Sequence, residues 1–225
     1  MGKIFGPGKH TPPQVSLIFY TMTLWHGCAI FLHPKPHKSL RCWPSQAIKC
    51  MISLTVGVIF LAACASLTFY RFEGVLPRLW ALTMMAMARL PMSRIPGLTF
   101  WKLCGSGTGE GFTPSPNMGV YAILCCWEDE LMARQQLAKH PLFQRYQKTA
   151  HEHWQIMLRP ISVRGQWDGQ TPFTLSDLPN NDDAPLAALT RASLRPSIAW
   201  KFWRRVPDIS KRIGADPSVI FKIGI

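Results

Sequence analysis

Acidic residues are scarce in this chain of 225 residues. Only 12 Asp and Glu stand against 25 Lys and Arg, which gives a formal net charge of +13, and the first 50 residues contain no Asp or Glu at all. Charged residues make up 16% of the chain, below the roughly 25% of a typical soluble protein. A basic and largely hydrophobic chain suits an anionic membrane surface or a nucleic acid. Because the basic residues are dispersed and no nucleic-acid motif is present, we expect no nucleic-acid partner.

Paired cysteines are also missing. The chain has seven cysteines and no C-x-x-C pair. An odd count without that spacing argues against a disulfide framework and against a zinc site. The cysteines therefore predict reduced, mostly buried thiols and a cytoplasmic setting.

Phosphate-binding motifs are absent from the glycine-rich stretch at residues 105–111. Glycine stands at every second position there (Gly105, Gly107, Gly109 and Gly111). A dinucleotide fingerprint needs glycine at its first, third and sixth positions, and a phosphate loop needs Gly-Lys-Ser/Thr. Two interpretations remain: a connection between strands that binds nothing, or bare backbone that lets a bulky ligand come close.

Residues 66–167 carry the pattern of one complete α+β unit. Strand-like stretches at 66–72, 98–104, 118–127 and 154–167 enclose helical stretches at 76–90, 128–140 and 141–152. The last strand-like stretch is interrupted at Pro160. The resulting β-α-β-β-α-β order, with the second helical segment divided at Pro141, predicts a ferredoxin-like fold.

An uncharged run at residues 51–70 is open to two interpretations. Twenty mostly apolar residues are about enough to cross a bilayer as a helix, and Lys49 and Arg71 would flank such a span. The ferredoxin-like unit, however, needs residues 66–72 as its first strand. We therefore favour a strand there and leave residues 51–65 unresolved.

Residues 1–65 form an apolar and basic extension outside this unit. Their composition fits neither a packed repeat nor a clean targeting signal. Three interpretations stay open: a membrane segment, a lipid-attachment box at Leu61-Ala62-Ala63-Cys64, or a true start of translation near Met51.

A polar linker at residues 168–185 is followed by a restart of the pattern. Residues 186–194 are strand-like, 196–213 helical and 218–225 strand-like again. This β-α-β order predicts a second ferredoxin-like unit in tandem that is incomplete. A half-finished unit leaves an unpaired strand edge, so we expect a chain that is truncated at its C-terminal end.

Several motifs in residues 66–225 resemble a known family. They are Leu79-Trp80-Ala81-Leu82, Phe100-Trp101-Lys102-Leu103, Gly107 to Pro114, Glu152-His153-Trp154, Leu186 to Ala192, and Ile213 to Pro217 with Phe221 to Ile225. The family is that of spheroidene monooxygenase, the acyclic carotenoid 2-ketolase of purple photosynthetic bacteria. The resemblance implies an α/β barrel of the dimeric type, made from ferredoxin-like units, in agreement with the tandem repeat.

The resemblance also implies a haem-dependent monooxygenase of carotenoid biosynthesis. Such an enzyme would use O2 to introduce a 2-keto group into an acyclic carotenoid such as spheroidene, with an electron-donor protein such as a ferredoxin. Because the substrate is a long apolar chain, we expect a site at the cytoplasmic side of the inner, photosynthetic membrane. Attachment would be peripheral or through the N-terminal apolar segment, and an oligomer is left open. The alternative is a non-catalytic, membrane-associated ferredoxin-like binding module.

Candidate site residues follow from the same resemblance, although no catalytic residue is identified. A haem iron takes an axial His, Cys, Met or Tyr in an apolar pocket. His153 is preferred over His151 and His140 because it lies in a matching motif. Candidate partners of the haem propionates are Lys102, Arg159, Arg164, Arg191 and Lys222, each of which is otherwise a solvated charge. The loop residues expected to let haem or the polyene approach the backbone are Gly105, Gly107, Gly109, Gly111 and Phe112.

Overall fold

A computed structural model describes residues 14–22, 27–33, 64–108, 115–176, 185–192 and 196–225. In chain order the elements are β1 (Gln14–Met22), β2 (Gly27–His33), β3 (Cys64–Arg71), α1 (Val75–Met87), α2 (Arg89–Met92), β4 (Leu98–Gly107), β5 (Pro116–Trp127), α3 (Glu130–Lys139), α4 (Pro141–Thr149), β6 (Glu152–Arg164), β7 (Leu186–Ala192), α5 (Pro196–Gly214) and β8 (Phe221–Gly224).

The predicted first unit is confirmed. Strands β4, β5, β3 and β6 lie in that order and every neighbouring pair is antiparallel. This is the sheet of a ferredoxin-like fold, in which the first strand lies between the third and the fourth. The chain is therefore an α+β protein with tandem ferredoxin-like units.

The stretch at residues 66–72 is a strand, as the sequence pattern favoured. It belongs to β3, which runs between β5 and β6 and is buried along nearly its whole length. Residues 51–63 lie outside the described part of the chain. Within the part that the structure describes, no helix combines the length and the hydropathy that a membrane crossing requires.

Two details differ from the predicted elements of the first unit. Pro160 does not end a strand, because β6 continues through it with an irregular register opposite Leu17 and Ile18. The third predicted helical stretch ends earlier than expected, since α4 closes at Thr149 and Glu152 already begins β6. A bulge at a proline lets a strand continue where a ladder hydrogen bond is missing.

The second unit contains the predicted β-α-β elements β7, α5 and β8, and α5 continues through Pro207. The two strands that flank β7 were not predicted from the sequence pattern. Strand β2 lies antiparallel between β7 and β8, where a third ferredoxin-like strand would lie. Strand β1 lies on the other side of β7 and also pairs with β6, in both cases in parallel.

The eight strands form one sheet in the order β4-β5-β3-β6-β1-β7-β2-β8. Its two edge strands, β4 and β8, contact each other, so the sheet curls towards a barrel. Alternation along each strand divides the core into two layers. One layer, the inner cluster, lies inside the curl and includes Leu67, Phe69 and Ile156. The other, the outer layer, lies under the helices of the first unit and includes Tyr70, Trp127 and Phe143.

Candidate functional site

An aromatic group forms the part of the inner cluster that joins the two units. The ring of Phe69 on β3 lies 6.0 Å from that of Trp154 on β6 and 5.6 Å from that of Phe221 on β8. Trp154 and Phe221 lie 5.1 Å apart, edge to face. Phe69 is fully buried, whereas Trp154 and Phe221 are partly exposed. The group therefore gives the apolar interior an aromatic surface that a ligand can reach.

The strand register places this aromatic group at the same level as Cys104. Cys104 pairs with Ala122, which pairs with Phe69, which pairs with Trp154. Burial raises the pKa of the Cys104 thiol to about 12. The thiol is therefore neutral at physiological pH, and it contributes to an apolar surface and not a thiolate ligand.

The glycine-rich stretch follows at this same end of β4. Gly105 and Gly107 belong to β4 as extended residues, and neither is among the described glycines with positive φ. A Cβ added at Gly105 would meet no atom within 4 Å. Gly105 therefore makes no tight turn. Because it pairs with Tyr121 of the outer layer, the open space beside it lies on the outer face of the sheet. Gly109, Gly111 and Phe112 lie outside the described residues.

A polar bridge lies further along the interior, towards the other end of the curled sheet. The carboxylate of Asp168 accepts a hydrogen bond from the ammonium of Lys102 on β4. It accepts another from the guanidinium of Arg191 on β7, with a nitrogen–oxygen distance of 3.3 Å. Arg191 is 9% exposed and stacks over the ring of Trp167 at 5.5 Å. Trp167 in turn contacts Phe100 at 5.7 Å, edge to face. Buried aromatic rings and an ion pair between the two units therefore occupy this end.

The local sequence explains why Asp168 reaches this place. Trp167 and Gln170 exchange two backbone hydrogen bonds, of 2.7 and 3.0 Å, around the dipeptide Asp168-Gly169. Both central residues have positive φ, 51° and 76°. This is the two-residue hairpin that Asp-Gly favours. The hairpin points Trp167 inward and holds the carboxylate between the two basic residues.

The other predicted cations do not join this bridge. Arg159 lies on the opposite face of β6 from Ile156 and Leu158, by the alternation of the strand. Arg164 is exposed at the end of β6. The ammonium of Lys222 donates to the carbonyl and hydroxyl of Ser210 in α5. Of the five predicted cations, the structure brings together Lys102 and Arg191.

The predicted histidines lie outside the inner cluster. The exposed ring of His153 stacks on Tyr70 of the outer layer with centroids 6.2 Å apart, and partial desolvation lowers its pKa. His151 is exposed, with its Nε2 3.7 Å from Glu73. His140 caps α4, since its Nδ1 accepts from the Leu142 N–H at 3.2 Å.

Comparison with characterised proteins agrees with the motifs. No family model matches the chain. A spheroidene monooxygenase of Rhodobacter capsulatus is 44% identical over 162 residues, which are 72% of this chain and 67% of that protein. The chain belongs to the spheroidene monooxygenase family. The spheroidene monooxygenase of Cereibacter sphaeroides is 45% identical over 160 residues.

The chain spans about half the length of some members of this family. It matches 49% of the Cereibacter sphaeroides protein and 48% of that from Rubrivivax gelatinosus, to which it is 38% identical over 126 residues. Among solved structures, SnoaB, a cofactor-independent oxygenase from Streptomyces nogalater, is 15% identical with a TM-score of 0.32, over 48% of this chain and 98% of SnoaB. A dimeric ferredoxin-like protein from Jannaschia sp. CCS1 is 19% identical with a TM-score of 0.34, over 43% of this chain and 98% of that chain.

The haem that the resemblance implies needs an apolar pocket and an axial ligand in this spheroidene monooxygenase family member. Beside His153 the outer layer is filled, because the rings of Tyr70 and Tyr146 lie 5.1 Å apart and Trp80 lies 5.1 Å from Tyr146. Among the described residues of the inner cluster, the groups able to ligate iron are thiols, and burial raises the pKa of Cys104 and Cys126. The described residues therefore do not form an apolar haem pocket with His153 as its ligand.

Sequence reasoning missed Trp167 and Asp168 as site residues. It assigned Asp168 to a polar linker, although the Asp-Gly dipeptide is itself a strong hairpin signal. Phe173, also within that predicted linker, is 5% exposed and belongs to the inner cluster. The described part of this linker, residues 168–176, thus packs Phe173 against the interior.

Proposed function

We propose that this chain belongs to a monooxygenase that binds an acyclic carotenoid such as spheroidene and introduces a 2-keto group. The aromatic group of Phe69, Trp154 and Phe221, partly exposed inside an apolar sheet, is the observation that carries this proposal. Its flat rings match a conjugated hydrocarbon in polarity and in shape. The names of the related proteins supply the substrate class.

The two ends of the interior differ, and this difference sets the direction in which the substrate enters. Trp167 is 5% exposed and the bridge of Lys102, Asp168 and Arg191 occupies its end. A hydrocarbon passing there would separate paired charges, which is costly. At the other end Trp154 and Phe221 are partly exposed. The polyene enters at this end and lies against Trp154.

The reaction needs O2 and two electrons for each oxygen atom inserted. One oxygen atom is inserted into a C–H bond at C-2, so that its hydrogen stays in the new hydroxyl group. The other oxygen atom is reduced to water with two protons from solvent and two electrons from an external donor protein such as a ferredoxin. A second insertion at the same carbon gives a geminal diol, which loses water to form the ketone. The apolar interior excludes bulk water from the carbon that reacts.

The cofactor and the location belong to the same proposal. Haem is the oxygen-activating cofactor that the family resemblance suggests. His153 as its ligand stays a prediction, because the described residues beside that ring form no apolar pocket. The exposed position of that ring would place iron at the outer surface of the first unit.

The enzyme works at the cytoplasmic face of the inner membrane, from which its substrate must partition.

Reconstitution of the purified chain tests this function. The chain is incubated with spheroidene in detergent, O2, ferredoxin and a ferredoxin reductase, and products are identified by mass. A 2-keto product supports the enzyme, and a chain that binds carotenoid without turnover supports the non-catalytic binding module. The haem assignment is tested separately by the Soret band of the wild type and of His153→Ala. A band that persists unchanged in the variant removes His153 from the ligand role.

A further inference from the structure

Helix α1 carries a second apolar face that points away from the protein. Its buried face packs Ala81 and Met84 into the outer layer. The outward face, here called the α1 stripe, consists of Val75, Leu76, Leu79, Leu82 and Met87, with Leu90 of α2 continuing it. These side chains are between 45% (Leu82) and 80% (Leu76) exposed. Six large apolar side chains together on one exposed surface mark an interaction site.

The stripe is continuous around the helix. On a helical wheel with 100° per residue, the stripe residues of α1 span an arc of about 140°. Leu82 lies at one limit of this arc and Met87 at the other. Thr83 is the one polar residue within that arc, and its hydroxyl donates to the Trp80 carbonyl at 2.7 Å. Its polar atom is therefore satisfied within the helix, and the arc presents apolar surface.

Positive charge borders the stripe. Arg78 and Arg89 lie along one side of it, and their Nε atoms donate to the carbonyls of Phe72 and Met85, at 3.3 and 3.5 Å, which neutralises no charge. The sequence has no Asp or Glu between Glu73 and Glu110. The surface thus combines exposed leucines with arginines, and neither α1 nor α2 contains a carboxylate that would oppose an anionic partner.

We propose that the α1 stripe is the surface by which the protein docks on an anionic lipid bilayer. Leucines inserted at the level of the headgroups and arginines beside them are the two contributions that hold an interfacial helix. A second copy of the chain fits less well, because the same face of that copy offers Arg78 and Arg89 no carboxylate. The proposal extends the membrane association stated above, and its test does not use the carotenoid reaction, so the two can fail separately.

Vesicle binding by the full chain tests the apolar contribution. Vesicles of phosphatidylcholine, alone or mixed 3:1 with phosphatidylglycerol, are sedimented with wild type and with Leu76→Ser/Leu90→Ser. The matched control is Leu131→Ser/Leu175→Ser, which removes two leucines that are 67% and 54% exposed elsewhere. We expect the stripe variant to lose at least about tenfold in partitioning to the mixed vesicles. The control should bind as wild type does.

The electrostatic contribution is tested in the same assay. Arg78→Gln/Arg89→Gln should lower partitioning by about fivefold for each arginine, and Arg145→Gln/Lys148→Gln on α4 provides a control with the same change in net charge. Equal losses in the stripe and control pairs would overturn the proposal, as would equal binding to pure phosphatidylcholine. A wild-type dimer that Leu76→Ser/Leu90→Ser converts to a monomer would also overturn it, by showing that a second copy covers the stripe.

Discussion

Phe221 of β8 and Trp154 of β6 lie 5.1 Å apart, edge to face, although one belongs to the second unit and the other to the first. Both also contact Phe69 on β3. The proposed substrate surface therefore belongs to neither unit alone. The curl of the sheet, which brings β8 round to the first unit, assembles it.

Trp154→Ala should weaken carotenoid binding. The change removes one of the two partly exposed rings of the site, and we expect KM to rise roughly tenfold with a smaller change in kcat. Trp101→Ala is the matched control, because Trp101 packs against the outer layer on the other face of β4. Steady-state kinetics with spheroidene measures the effect, and a KM that rises equally in both variants would place the substrate elsewhere.

Asp168→Asn should destabilise the protein by about 1–2 kcal/mol. The substitution keeps a residue that tolerates the left-handed backbone of the hairpin, but it leaves the buried Arg191 without its carboxylate. The expected cost is modest because the Asp168 side chain is 48% exposed. Urea denaturation measures it. Glu130→Gln, which breaks the Arg134 pair within α3, should cost less than about 0.5 kcal/mol, and equal costs would contradict a special role for the bridge.

Gly97→Ala and Gly105→Ala should differ sharply in stability. Gly97 has a φ of +73°, and a Cβ there would lie 2.6 Å from Cγ of Met132, so we expect a loss of about 1–3 kcal/mol. Gly105 has open space, and alanine should change the unfolding free energy by less than about 0.5 kcal/mol.

Urea denaturation of both variants measures this difference. Equal losses in Gly97→Ala and Gly105→Ala would contradict the close approach of Met132 to Gly97.

Stability should fall as the pH is lowered from 7.5 to 5.5. Desolvation lowers the pKa of His140 below its ordinary value of 6.5, with a lowered pKa for His153 as well. These histidines are therefore protonated at a higher pH in the unfolded chain than in the folded protein. The free energy of unfolding decreases as the pH falls through 6.5. His140→Asn keeps a side chain that can cap α4, and it should flatten this dependence in urea titrations at the two pH values. A slope that the variant leaves unchanged would assign the effect to other groups.

Local pattern was enough to predict most of the first unit. Strand-like stretches and the helical spacing from Leu76 to Leu90 predicted β4, β5 and α1, because each signal lies within a few neighbouring residues. Strand β3 was favoured for another reason, since the β-α-β-β-α-β order needs a first strand. The helix predicted at residues 128–140 is α3, and its start is capped by Asp129, whose carboxylate accepts from the Met132 N–H at 2.7 Å. The same reasoning predicted the β-α-β elements of the second unit.

The candidate site could be predicted only in part. Lys102 and Arg191 were named from the sequence, but their common partner Asp168 was assigned to a linker. His153 was preferred on a matching motif, and a motif does not show on which face of β6 a side chain lies. Since a shift of one residue in register moves every side chain to the other face, that choice needs the pairing of β6 with β3.

The sequence by itself determined the ferredoxin-like elements, the family and the basic, apolar character of the chain, because these depend on neighbouring residues and on composition. The tertiary structure decided which side chains meet. It placed β1 and β2 beside β7, curled the sheet until Phe221 reached Trp154, and left the α1 stripe exposed. Contacts between residues far apart in the chain depend on register and closure, which no local pattern encodes.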